Sequence, residues 1–455
     1  LYDGHAHAGL LATCRRMRDV GCAALTTATL RWCAACAVDR HAVGAFPPAA
    51  ARAGGGHPAA LPARLPSVRA FLGRAPHVRT LHLGDGGGCR GACGGTPCGH
   101  PPADRAVTWR AVGDALGGHP LAVVTGPIPA VAAVVAAARL PGLREVRLLC
   151  PALPTDGLSA VGPTLRAVGA TLQTLVLRNP DWTGNTWVAN VAFPSEVTPV
   201  QLIACFGGVV LPALTTLLVD RVHVNVPAAE AIAAACPQLT EFAAAARLDV
   251  GVGDVWRLER GRLPALRRLR LNVRDDRDHD TPAFGAEVRR ILAGRTLDAV
   301  CFAGFLLCEA EVSPWLTDAI LGAAVLPRSL TMYDIESSVA GYEALWADPR
   351  WAARLECLSP PDLPRNGAVF MALGSLPRLT SLSLGLCLDL FDAAAPPGSP
   401  WDGLPGLVEL TVWVTGHSAR GRQGRDTSPA AEARLAAAAD WFYATLVDPP
   451  CRRTL

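Results

Sequence analysis

Apolar and polar positions alternate in one short phrase, Leu-Pro-x-Leu-x-x-Leu-x-Leu, which recurs along the chain. Its last two apolar residues are separated by a single residue, a spacing typical of a short strand with one buried face. Full copies begin at Leu140, Leu211, Leu263, Leu376 and Leu404, and weaker copies start at Val78, Leu172, Leu239, Leu297, Leu330 and Leu355. The phrase therefore predicts a series of similar strands spread over most of the chain.

The intervals between copies are narrow. From Leu214 onward the spacings run 25, 27, 31, 33, 25, 24 and 28 residues. Segments rich in alanine, the strongest helix former, lie between copies, for example at residues 130–138 and 228–235. One strand and one helix cannot bury their own apolar face, but stacked copies can. We therefore expect an array of strand-helix units.

Over residues 65–415 the phrase and its period resemble the leucine-rich repeat family. The resemblance implies an α/β fold, a leucine-rich-repeat solenoid with a curved parallel sheet and outer helices, preceded by a small helical N-terminal segment. It also implies a concave face, formed by the residues that flank the inward leucines. The residues predicted to bind a protein substrate there are Glu145, Arg147, Arg178, Leu218, Arg268, Arg270 and Trp413.

The concave face carries charges of both signs with small polar residues between them. A surface that follows a phosphate backbone would carry one sign. The mixture therefore favours a protein ligand over a nucleic acid, and the net charge of +3 points the same way.

The N-terminal residues 10–19, with Leu30-Arg31-Trp32 after them, resemble the second half of an F-box. That resemblance implies a substrate receptor of a cullin-type ubiquitin ligase. A Skp-family adaptor would then contact Leu11, Cys14, Met17 and Trp32. The alternative is a plain helical cap on the first repeat, which would make the chain a repeat scaffold with no ubiquitin-ligase link.

These patterns divide the chain into five parts. Residues 1–45 form the F-box-like helical segment and residues 46–64 a linker. The repeats occupy residues 65–415, with an insertion at 84–105. A second linker, 416–428, precedes a capping helix at 429–455, which carries Trp441 and Phe442 near one face.

Composition excludes several enzyme classes. The chain has no lysine, so all 42 basic residues are arginine. The usual phosphate-loop, protein-kinase and pyridoxal-phosphate sites each need a lysine. We therefore expect a non-catalytic protein without a cofactor. The uncharged stretches 121–138 and 197–219 are interrupted by Gly and Pro, so each should form a short helix and a short strand rather than a membrane span.

Fifteen scattered cysteines favour free thiols in a reducing compartment. We therefore expect a cytoplasmic location, with the nucleus as the alternative. Cys89, Cys93, Cys98 and His100 could supply four zinc ligands, but their spacing is awkward for one tetrahedral site. An exposed insertion without metal is the prediction for this segment, and a zinc site is the alternative.

Overall fold

A computed structural model of the protein describes most of the repeat region and several shorter segments. The described residues are 26–32, 75–85, 102–149, 160–178, 199–223, 226–247, 263–274, 296–305, 320–333, 339–360, 367–387 and 400–415, with single positions at 286, 289, 292 and 318 and a few among 433–441. The chain forms two compact units. The first comprises Leu1–Val222 and Glu230–Leu239, and the second comprises His223–Ala229 and Thr240–Leu455.

The first unit contains a parallel sheet in which the strands follow one another in chain order. Its strands are β1 (Thr27–Trp32), β2 (Thr80–Asp85), β3 (Val123–Pro127), β4 (Glu145–Leu149), β5 (Thr174–Arg178) and β6 (Thr216–His223). Its helices are α1 (Pro102–Leu116), α2 (Ile128–Ala138), α3 (Val161–Val168) and α4 (Pro199–Phe206), and α5 (Val226–Ala235) contributes residues to both units.

The second unit repeats the same parallel arrangement. Its strands are β7 (Glu241–Arg247), β8 (Arg268–Arg274), β9 (Ala299–Phe305), β10 (Ser329–Tyr333), β11 (Cys357–Ser359), β12 (Ser381–Cys387) and β13 (Glu409–Thr415). Its helices are α6 (Val339–Ala347), α7 (Pro349–Ala352) and α8 (Gly367–Ala372), with short 3-10 helices at Leu373–Ser375 and Pro400–Gly403.

The inward positions of the repeated phrase form a buried ladder in each unit. In the first unit the second position of each strand holds Leu81, Val124, Val146, Leu175 and Leu217. In the second unit it holds Phe242, Leu269, Val300, Leu330, Leu358 and Leu382. Each of these side chains is at most 2% exposed, and burying one contributes about 1.5–3 kcal/mol. The ladder explains why the phrase recurs, and the fold is the α/β leucine-rich-repeat solenoid that the sequence indicates.

The Leu-Pro-x-Leu part of the phrase forms a turn before the strand. The backbone N–H of Leu379 donates to the carbonyl of Leu376 over 3.1 Å, and Leu143 and Leu214 make the same bond to Leu140 and Leu211. Proline suits the second position of such a turn because its φ is fixed and no N–H is needed there.

Within each unit, one carbonyl just ahead of a strand accepts two N–H groups from the next repeat. The carbonyl of Ala122 accepts from Arg144 and Glu145, each over 2.9 Å. The carbonyl of Thr240 accepts in the same way from Arg267 and Arg268, over 2.8 and 2.9 Å. This shared acceptor fixes where each new strand joins its neighbour.

The structure corrects the expected N-terminal boundary of the repeats. The sequence predicts helical structure over residues 1–45 and repeats from residue 65. Instead, Thr27–Trp32 is strand β1, which pairs along its whole length with Thr80–Asp85. The segment Thr-Ala-Thr-Leu-Arg-Trp is rich in β-branched and aromatic residues, which favour strands. It lacks the Leu-Pro turn, so the repeated phrase did not reveal it.

Two further boundaries differ from the expected ones. The predicted insertion at 84–105 is shorter, because residues 84 and 85 belong to β2 and residues 102–105 belong to α1. The copy placed at Leu330 starts three residues earlier, because Leu330 pairs with Val300 and Leu358 and so is an inward strand residue. Pro327 takes the leucine position there, and the neighbouring spacings become 30 and 28 residues.

Both uncharged stretches form a short helix and a short strand, as predicted. Residues 121–138 contain β3 and α2, and residues 197–219 contain α4 and the first part of β6. Among the helices that the structure describes, none combines the length and the apolar character needed to cross a membrane.

Near the end of the chain, Trp441 packs against two aromatic side chains of the second unit. Its ring centroid lies 5.4 Å from that of Phe370 and 6.4 Å from that of Trp401. Phe370 and Trp401 also meet edge to face, with centroids 5.7 Å apart. Such contacts suit a helix that covers the last repeat. The bounds 429–455 stay a prediction, because most of that range lies outside the described residues.

Candidate functional site

Two residues of each strand alternate with the buried ladder and form two parallel rows, which together we call the strand face. In the first unit the first row is Thr80, Val123, Glu145, Thr174 and Thr216, and the second row is His82, Thr125, Arg147, Val176 and Leu218. In the second unit the first row is Glu241, Arg268, Ala299, Ser329, Cys357, Ser381 and Glu409, and the second is Ala243, Arg270, Cys301, Thr331, Ser359, Ser383 and Thr411.

In the first unit the charges of the strand face are concentrated on β4. Arg147 Nε donates to Glu145 Oε1, and the two side chains are 50% and 22% exposed. An ion pair this exposed contributes only about 0–1 kcal/mol to stability. The pair therefore contributes little to the stability of the sheet. Its main effect is to place one negative and one positive side chain on the strand face of the first unit.

His82 and Thr125 lie in the same row as Arg147, on the two preceding strands. Burial, and then the positive charge of Arg147, lower the pKa of His82 below its ordinary value. At neutral pH His82 is therefore an uncharged imidazole, able to donate one hydrogen bond and accept another. The Thr125 hydroxyl is buried, with no hydrogen-bond partner among the described residues.

In the second unit the charges of the first row lie toward the two ends of the sheet. Arg268 on β8 faces Glu241 on β7, with 3.9 Å between Arg268 Nη1 and Glu241 Oε2. At β13, Glu409 Oε2 accepts a hydrogen bond from Ser381 Oγ over 2.9 Å. Between Arg268 and Glu409 the row holds only small side chains, those of Ala299, Ser329, Cys357 and Ser381.

Cys301 is the second-row residue of β9 and pairs in register with Arg270. Burial raises the pKa of the Cys301 thiol, and the charge of Arg270 offsets part of that rise. By contrast, burial raises the pKa of Cys236, which is fully enclosed, to about 12. Cys301 is therefore the more reactive of these two thiols.

The predicted substrate-binding residues do not form one cluster. Glu145, Arg147 and Leu218 lie on the strand face of the first unit, and Arg268 and Arg270 lie on that of the second. Arg178 and Trp413 are strand residues paired with Leu149 and Gly385. The role of each residue in binding stays a prediction.

The predicted adaptor-binding residues fall mostly beyond the described part of the chain. Leu11, Cys14 and Met17 lie outside the described residues. Trp32 is the last residue of β1 and pairs with Asp85. Its backbone therefore belongs to the sheet and not to a helix.

Sequence reasoning missed a second feature, a cleft beside the amino ends of β10, β11 and β12. The cleft has a volume of about 390 Å³ and is lined by Ala324, Val325, Leu326, Arg328, Arg350, Ala353, Arg354, Glu356 and Arg378. Arg354 and Arg378 each immediately precede a buried leucine of the turn, and this shared repeat position was the signal that could have grouped them.

Within the described residues there is no group of three or more His, Cys, Asp or Glu side chains that could hold a metal ion. Cys89, Cys93, Cys98 and His100 lie outside that part of the chain. The metal-free insertion therefore stays a prediction.

Comparison with known proteins adds little to these observations. No protein-family model and no curated protein matches the chain. Among solved structures, the leucine-rich repeat-containing protein LegL7 from Legionella pneumophila is similar, with a TM-score of 0.37 and 12% sequence identity over 81% of this chain and 93% of that one. Similarity at this level carries no argument about function, and the fold described above follows from the strand pairing of the chain itself.

Proposed function

We propose that this chain is a non-catalytic protein-binding module whose strand face holds the partner. The observation that carries the proposal is the first row of the second unit. Four small residues on consecutive strands, Ala299, Ser329, Cys357 and Ser381, stand between charged residues on either side. With strands about 4.8 Å apart, four of them span roughly 14 Å. A helix of a partner, about 10–12 Å across, would fit within that width.

The charged residues on either side define the chemistry of the partner. Arg268 is 65% exposed and its partner Glu241 is 36% exposed, so both keep hydrogen-bonding capacity for a ligand. The small side chains between Arg268 and Glu409 let a partner approach the sheet closely. A partner surface with charges of both signs around a polar or small-residue centre would complement this arrangement.

The experiment introduces an arginine at one of two positions, either on the strand face or on a helix outside it. The full chain with Ser329→Arg carries an arginine in the middle of the row. The control, Ala347→Arg, carries one on an exposed position of α6. Affinity capture followed by mass spectrometry should recover the same specific partner with the wild type and with Ala347→Arg, and lose it with Ser329→Arg. Equal recovery with both variants would contradict the proposal.

We propose further that the module is the substrate receptor of a cullin-type ubiquitin ligase, on the resemblance of residues 10–19 to part of an F-box. In this proposal Leu11, Cys14, Met17 and Trp32 contact the adaptor, with Trp32 at the end of strand β1. Truncating a large apolar contact at an interface commonly costs about 2 kcal/mol or more, which is roughly a thirtyfold loss of affinity.

Two variants separate this narrower proposal from the scaffold alternative. In the ligase proposal, Met17→Ala and Trp32→Ala should each weaken co-purification with a Skp-family adaptor, whereas in the cap alternative each should lower the melting temperature of the chain. A wild-type chain that fails to bind the adaptor would leave the protein-binding module without a ligase link. The cytoplasmic location remains part of this proposal and is checked by imaging a tagged chain.

A further inference from the structure

The cleft beside β10, β11 and β12 carries an excess of positive charge. Four arginines line it, Arg328, Arg350, Arg354 and Arg378, together with the single carboxylate of Glu356. Repeat stacking brings them together, because Arg328 and Glu356 each come directly before a strand, and Arg354 and Arg378 each precede a turn leucine. None of these residues belongs to the two rows of the strand face.

Two of the four arginines are already neutralised. Arg350 donates from Nε and Nη2 to the carboxylate of Asp348, at 3.0 and 2.6 Å. Arg328 Nη1 lies 3.4 Å from Glu356 Oε1. Arg354 and Arg378 form no ion pair with any described residue, so the cleft keeps about two uncompensated positive charges.

Backbone contacts hold Arg350 and Arg378 in place. Arg350 Nη1 donates to the carbonyl of Ala323 over 2.8 Å, and its Nη2 donates to that of Leu321 over 2.6 Å. Arg378 Nη1 donates to the carbonyl of Ala353 over 2.9 Å. Arginines fixed in this way lose less conformational freedom when a ligand binds.

Arg354 has an unmet hydrogen bond. Its Nε is buried and has no hydrogen-bond partner in the described part of the chain. A buried donor left without an acceptor is costly, and such groups in folded proteins call for an explanation. A ligand oxygen that reached Nε through a shift of the Arg354 side chain would satisfy this donor, and the ligand's negative charge would offset that of the guanidinium.

We propose that this cleft binds the dianion of a phosphate monoester, between Arg354 and Arg378. The phosphate group has three acceptor oxygens and a charge of about −1.5 to −2 at neutral pH, and it matches the planar donor pairs of arginine. The apolar residues Ala324 and Val325 line the same cleft and would contact the carbon skeleton that carries the phosphate. That skeleton is either a phosphorylated side chain of a protein or a small phosphorylated metabolite.

The test is calorimetric titration of the full chain in a phosphate-free buffer, with O-phosphoserine, a phosphoserine peptide and its unphosphorylated counterpart as probes. Phosphoserine should bind, and the unphosphorylated peptide should not. Arg354→Gln and Arg378→Gln should each weaken binding at least about tenfold, because charge-assisted hydrogen bonds are lost. A phosphopeptide that binds more than about tenfold tighter than phosphoserine would assign the phosphate to a protein, and equal affinities would assign it to a small molecule.

Two further variants make the test specific. Arg267→Gln is the matched control, because Arg267 is also an exposed arginine of the second unit that donates to a backbone carbonyl, that of Thr296 at 3.4 Å. It should leave binding unchanged. Glu356→Gln should strengthen binding severalfold, because it releases Arg328 from its ion pair and removes a repelling charge.

The affinity should also fall as the pH is lowered through about 6, where the phosphate takes up its second proton while the arginines stay charged. Absence of phosphoserine binding by the wild type would overturn the proposal. So would Arg354→Gln and Arg378→Gln variants that fold and bind phosphoserine as the wild type does.

Discussion

The strand faces of the two units differ in chemistry although their buried ladders are equivalent. In the first unit the central strand β4 carries the pair Glu145–Arg147, next to Val176 on β5. In the second unit the small residues occupy the middle strands, and the charged residues stand to either side of them. The inward residues of each strand determine how the strands stack. The residues that alternate with them do not affect this stacking, so they can differ between the units and determine what each strand face binds.

The largest expected effect tests whether the two ladders are energetically equivalent. Leu175→Ala in the first unit and Leu382→Ala in the second each remove a fully buried side chain at the same strand position. Each should lower the free energy of unfolding by about 2–5 kcal/mol, measured by chemical denaturation. Ser381→Ala, which changes the strand face beside Leu382, is the control and should cost far less. A large cost in only one unit would break the equivalence.

A second prediction compares a thiol from each unit. Cys236 of the first unit, whose pKa is raised to about 12, should stay unmodified in the native chain at pH 8.5. Cys301 of the second unit should be alkylated slowly, because only its thiolate reacts. Arg270→Met should slow Cys301 further, since the charge of Arg270 favours the thiolate.

Peptide mapping by mass spectrometry gives the modification rate of each cysteine separately. The matched control for Arg270→Met is Arg268→Met, on the same strand but in the other row. Faster alkylation of Cys301 in Arg270→Met would contradict the assigned electrostatic contact.

The smallest expected effect concerns His82 in the first unit. Because burial and Arg147 lower its pKa in the folded chain, acidification protonates the unfolded chain first. Stability should therefore decline as the pH falls below 6.5, the ordinary value for histidine, until it reaches the lowered folded pKa. His82→Gln should remove this part of the pH dependence.

Nuclear magnetic resonance titration of His82 measures the same effect directly. Arg147→Met should raise the His82 pKa toward its ordinary value while leaving it somewhat low, because burial is the larger cause. An unchanged pKa in Arg147→Met would show that the two side chains do not interact across the row.

Much of the fold follows from the repeated phrase, because the inward leucines of one repeat can be buried only against those of a neighbouring repeat. The strands that carry the Leu-Pro turn were placed correctly for this reason. Strand β1 was missed because Thr27–Trp32 has strand propensity without the turn. The repeat at β10 was displaced by three residues because Pro327 stands where a leucine was expected.

The candidate site was only partly accessible from the sequence. Glu145, Arg147, Arg268 and Arg270 were found because alternation with buried leucines puts them on the strand face. The arginine cleft was not found, because Arg328, Arg354 and Arg378 belong to three different repeats. Residues that lie about 25 positions apart come together only because consecutive repeats stack on one another. A single copy of the phrase does not show which of its positions face the next copy.

The shared carbonyl ahead of each strand determines where this chain tolerates extra residues. Each new strand is placed by two bonds to one backbone oxygen, as at Thr240, and the second of the two donors is the first face residue of that strand. From Leu239 onward, repeats of 24 to 31 residues all keep this connection. Residues added after a strand therefore lengthen a connection and leave the sheet unchanged. One residue added between the turn and the strand would instead reverse the alternation, carrying the inward residues of that strand to its opposite face.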